Sequence, residues 1–89
     1  MWGRRANKTL TLDLHPFFRN EREVDRAVRA IIFKAARTGV TLVEIIPGKG
    51  RGQLRSRVLA LLRQSHLRQL YARIEVDPDN AGRILVHFR

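Results

Sequence analysis

The stretch TLVEIIPGKGRGQLR, residues 41–55, decides the fold. Its first six residues are almost all aliphatic or β-branched, a run of strand length that stops at Pro47, which has no N–H to give to a ladder. So continuous an apolar run predicts a central strand buried on both faces. The next segment, PGKGRG at 47–52, carries three glycines and two cations. From there Leu54, Val58, Leu61, Leu62 and Ser65 recur on one helical face, predicting a helix over about residues 53–65. Arg55 and Arg57 flank that face and Arg63 lies opposite it.

Upstream, in TLTLDLH at residues 9–15, leucines alternate with Thr9, Thr11, Asp13 and His15. This period of two predicts a first strand with leucines toward the core and Asp13 and His15 on the other face, near the strand's C-terminal end. Asn20, followed three residues later by Glu23, reads as a capping box opening a helix at 21–38. Val24, Ala27, Val28, Ile31, Ile32 and Ala35 form its apolar stripe, Phe33 falls opposite, and Gly39 ends it. Downstream, Ala72, Ile74 and Val76 alternate with polar residues in a third strand. After the PDNAG turn at 78–82, Ile84, Val86 and Phe88 mark a fourth. The short connection predicts an antiparallel hairpin.

The order is therefore β-α-β-α-β-β. A strand-helix-strand unit requires a right-handed parallel crossover. Two helices suffice to cover one face of a four-stranded mixed sheet, so the expected architecture is a two-layer α/β sandwich of α+β class. Thr11, Asp13 and His87 fall on the uncovered face. Residues 1–8, MWGRRANK, form a basic arm ahead of a single domain at 9–89.

Charge narrows the function. The 89 residues carry 18 lysines and arginines against 8 acids, a net charge of +10, and 15 of the cations are arginine. No acid falls between Glu44 and Glu75, a span holding Lys49, Arg51, Arg55, Arg57, Arg63, Arg68 and Arg73. Such a one-sign stretch attracts polyanions, and arginine suits bidentate contact with phosphate, so DNA or RNA is the expected partner. The absence of cysteine excludes disulfides, thiol catalysis and zinc-thiolate sites. No membrane-length apolar run or opening signal peptide is present, so the expected address is cytoplasmic, with no membrane partner. Sequence leaves the oligomeric state open.

Two constellations carry chemistry. In Gly48-Lys49-Gly50-Arg51-Gly52 the glycines let the backbone approach a ligand closely, the following helix start favours an anion, and Lys49 and Arg51 add charge. The spacing matches neither the P-loop nor the dinucleotide fingerprint. An ordinary glycine turn is the plain alternative, and the flanking cations favour phosphate contact, with Arg55 and Arg57 extending the patch. The second constellation is Asp13 with His15. The pair suits either a carboxylate orienting a general base or a divalent-metal site, with magnesium or manganese as the natural ions. A solvated strand face is the commoner origin of Asp-x-His.

Taken together, Leu-Asp-Leu-His at 12–15, Ile-Ile-Pro-Gly-Lys-Gly at 45–50 and Gly-Gln-Leu-Arg at 52–55 are more specific than any one alone. The chain resembles the Smr domain, the small MutS-related domain, over about residues 9–89. The resemblance implies a fold like the C-terminal domain of bacterial translation initiation factor three. It also implies DNA or RNA binding, with nicking or RNA-cleaving activity in some members. It carries Asp13 and His15 onto the family's active-site positions, and Gly48, Lys49, Gly50, Gly52, Leu54 and Arg55 onto its binding loop. Three positions depart from the family pattern. Pro16 follows His15 in place of glycine, Pro47 stands where a histidine precedes Gly-Lys-Gly, and the hairpin loop is shortened to Pro78–Gly82. Proline neither transfers a proton nor binds a metal.

Three functions follow as expectations. One is a structure-selective nicking endonuclease. The second is a catalytically inactive nucleic-acid-binding or ribosome-associated module. The third is a protein-interaction domain using Trp2 or Phe33.

Overall fold

The computed structural model describes residues 8–14, 20–47, 52–77 and 82–88. Seven elements follow one another: β1 (Thr9–Asp13), α1 (Glu21–Thr38), β2 (Leu42–Ile46), α2 (Gln53–Leu62), α3 (Ser65–Arg68), β3 (Arg73–Val76) and β4 (Ile84–His87). The strands form one mixed sheet in the order β1-β2-β4-β3. β1 and β2 are parallel, and β4 is antiparallel to both β2 and β3. The C-terminal ends of β1, β2 and β3 and the start of β4 therefore share one edge of the sheet.

The expected α+β two-layer sandwich is the architecture observed. Helix α1 begins and ends where its caps lie. The Asn20 side chain accepts the Glu23 amide at 3.2 Å, and the chain turns left-handed at Gly39. Helix α1 lies against β1 and β2, and its stripe of Val24, Val28, Ile32 and Ala35 joins Val43 and Ile45 of β2 and Ile84 and Val86 of β4 in a single core that also holds Leu14, Val58, Leu62 and Leu67. Burying aliphatic side chains of this kind stabilises a fold by about 1.5–3 kcal/mol each.

Two expectations needed correction. β2 is central, but only its Val43 and Ile45 face is fully buried; Leu42, Glu44 and Ile46 are half-buried. The helices cover one side only, so a continuous apolar run here marks a central position and not two-sided burial. The second helix is shorter than expected. It stops at Leu62, Gln64 adopts an extended conformation, and one further helical turn forms α3. On a continued helix Leu67 would point about 140° away from Leu62. The break lets both be fully buried, and the Tyr71 hydroxyl seals it by donating to the Leu62 carbonyl at 2.7 Å.

The uncovered face of the sheet carries Leu42, Ile46 and Leu85 among polar side chains that are cross-linked. Thr11 donates to Glu44 at 3.1 Å. Arg83, at the start of β4, is held between Glu44 and Asp77. His87 pairs with Glu75 at 3.0 Å. Among the described residues no helix is long and apolar enough to cross a membrane.

Candidate nucleic-acid interface

The parallel pairing of β1 and β2 sets Asp13 opposite Ile46, and the amide of Leu14 continues the ladder by donating to the Ile46 carbonyl at 2.9 Å. Leu14 is fully buried, and Pro47 is buried beside Ile46. These two anchored residues immediately precede the segments 15–19 and 48–51. His15, Gly48, Lys49, Gly50 and Arg51 themselves lie outside the described residues, as does the separation between the Asp13–His15 pair and the Lys49 loop. Asp13 is exposed on the uncovered face at the C-terminal end of β1, as its place in the alternation predicts. Among the described residues no three metal-ligating side chains converge.

Helix α2 opens at the same edge. Its N-cap, Gly52, sits at φ 83°, in the left-handed region where a side chain is strained. The Gly52 carbonyl accepts the Ser56 amide at 2.9 Å, closing the first turn. Gly52 has no side chain to cap the leading amides, and no acidic residue occupies the first turn. The first turn itself therefore supplies no acid to the positive end of the helix dipole.

Arg55 lies across this opening. A β-carbon added to Gly82 would fall 2.8 Å from its Nη1 and 2.9 Å from its Cδ, and one added to Gly52 would fall 3.7 Å from its Nη2. The side chain thus lies between two glycines of positive φ, one at the start of α2 and one at the hairpin before β4. Gly82 is legible in sequence as a turn residue. Its contact with Arg55, 27 positions earlier, has no local signal. Among the described residues Arg55 has no carboxylate partner.

Arg57 is engaged differently. Its Nε and Nη2 donate to the two carboxylate oxygens of Asp25 at 3.0 Å each, and Nη1 lies 3.3 Å from Glu21. The fork pins α2 to the first turns of α1. The hydrogen bond it donates to Asp25 holds the guanidinium more firmly protonated than usual. Arg83 is held in the same sense by Glu44 and then Asp77. Glu21, Asp25, Glu44 and Asp77 are thus matched by structural arginines.

A family model for the Smr domain matches residues 12–89. The chain belongs to the Smr domain family. The match takes in both ladder ends, the loop between them, all three helices and the closing hairpin, so the edge just described lies wholly within the Smr domain. Neither a curated protein nor a solved structure matches the chain.

Proposed function

We propose that this Smr domain binds DNA or RNA by gripping backbone phosphate at the edge where β1, β2 and α2 meet. The observation that carries the reading is Arg55, lodged between Gly52 and Gly82 over an uncapped helix start and without a carboxylate partner among the described residues. An anion there would accept from the leading amides of α2 and from a guanidinium already in position. Gly48, Lys49, Gly50 and Arg51 enter α2 directly and extend the same cradle in this reading. Arg57 acts through its hold on Asp25 and Glu21, which fixes the direction of α2. Titrating a labelled oligonucleotide tests this: Lys49→Ala and Arg55→Ala each reduce the slope of log affinity against log salt by ~1. Unchanged affinity in the double variant would reduce the loop to a turn.

A second reading, strand cleavage, draws on the position of Asp13 at the same edge. With His15 two residues on, a carboxylate and an imidazole would flank the bound phosphate, one orienting and the other accepting a proton from water. Pro47 takes no part in proton transfer, so binding is the stronger property of the two. A nicking assay with and without magnesium or manganese distinguishes them. Activity lost in both Asp13→Asn and His15→Ala supports cleavage, and a parent protein that binds without cutting leaves the binding module.

A further inference from the structure

Strand β3 is an edge of the sheet, and α2 leaves it partly uncovered. A groove of about 340 Å³ runs between them, with Leu59 of α2 on one bank and Ile74 and Val76 of β3 on the other. Ile74 and Val76 pair with the buried Val86 and Ile84, so their side chains stand on the helix-bearing side of the sheet. Val76 is nevertheless 37% exposed, which is large for an aliphatic residue on that side.

The backbone of β3 is open along the same line. The Asp77 amide donates to the Arg83 carbonyl at 2.8 Å, and antiparallel alternation then turns the N–H and C=O groups of Glu75 and Arg73 toward β4. Those of Ile74 and Val76 point outward, along the groove, as a strand edge that is unpaired among the described residues.

The charge lies at one end. Arg63 closes α2 and Arg68 lies over the Tyr71 ring, 5.2 Å from its centre, both at the end of the groove where β3 begins. Arg68 also donates to the Tyr71 carbonyl at 3.4 Å.

We propose that this groove binds an extended acidic peptide, which adds a strand to β3. Unpaired strand amides and carbonyls are complementary to another polypeptide backbone, and the alternating aliphatic floor takes every second side chain of the guest. An antiparallel guest places its C-terminal end beside Arg63 and Arg68. The recognised sequence is therefore two apolar residues at alternate positions followed by acidic ones. A nucleic-acid strand fits less well. The floor is aliphatic, and Tyr71, the ring lining the groove, is buried and covered by Arg68, leaving no platform for a base. A second copy of this chain brings a further +10 of like charge.

The test uses a fluorescein-labelled octapeptide that alternates valine with threonine and ends in two glutamates. Its counterpart ending in two lysines and an eight-nucleotide oligothymidylate serve as comparisons. The acidic peptide is expected to slow amide exchange at Ile74 and Val76 and to bind at least about tenfold more tightly than the lysine form. Reversing charge with Arg63→Glu and Arg68→Glu together is expected to weaken binding at least about tenfold. Val76→Pro removes an outward N–H together with one aliphatic side chain of the floor, and is expected to abolish binding while circular dichroism stays unchanged. Equal affinity for the two peptides would overturn the proposal, as would unslowed exchange at Ile74 and Val76. So would protection of those two amides by oligothymidylate, or by self-association of the chain.

Discussion

The two long helices of this Smr domain begin in opposite ways. Helix α1 is closed by its own sequence: the Asn20 side chain takes the Glu23 amide, Glu21 and Glu23 occupy the first turn, and Arg57 adds a cation to Glu21 and Asp25. Helix α2 has none of this. It starts at a left-handed glycine, carries no acid in its first turn, and faces an arginine. The same backbone dipole meets a side-chain cap and two acids at the start of α1 and neither of these at the start of α2.

The contrast can be broken most forcefully at Gly82. Gly82→Ala imposes a β-carbon at φ 73° and drives it into Arg55. The left-handed backbone costs about 1–2 kcal/mol, and each kcal/mol lowers the Tm of a domain this size by ~4–8 °C. The Arg55 side chain is flexible enough to move aside, so the fold survives while oligonucleotide affinity falls with it. Thermal melts and titrations on the same sample check both effects. Arg55→Ala isolates the ligand side, with affinity reduced about tenfold and Tm little changed. Its effect and that of Gly82→Ala are expected to be less than additive, because both act through one side chain. Asn20→Ala isolates the folding side: a loss of about 1 kcal/mol in denaturant unfolding with affinity unchanged.

These outcomes also mark where sequence suffices. The bounds of α1 follow from Asn20 and Gly39, and the alternation in β1 puts Asp13 on the uncovered face, because caps and period-two patterns are local. The break after Leu62 is decided by where Leu67 and Tyr71 find burial, so a run of helix-compatible residues conceals it. Arg55 and Arg57 look equivalent in sequence, two positions apart in one basic run. Their difference comes from what lies opposite each on the folded helix. Asp25 and Glu21 meet Arg57, and two glycines meet Arg55. Likewise the clamp of Glu44 and Asp77 on Arg83 joins three strands and has no sequence-local signal.

Gln53→Glu addresses directly whether α2 is open at its N-terminus for an anion. Gln53 is the exposed first residue of α2, and glutamate there gives α2 the kind of acid that α1 already has. The measurement is stability and oligonucleotide affinity of this single variant against the parent in one low-salt buffer. Opposite signs are expected: unfolding free energy rises by about 0.3–1 kcal/mol as the carboxylate meets the helix dipole, while affinity for the oligonucleotide falls. A variant that is stabilised and binds as tightly as the parent would contradict this expectation.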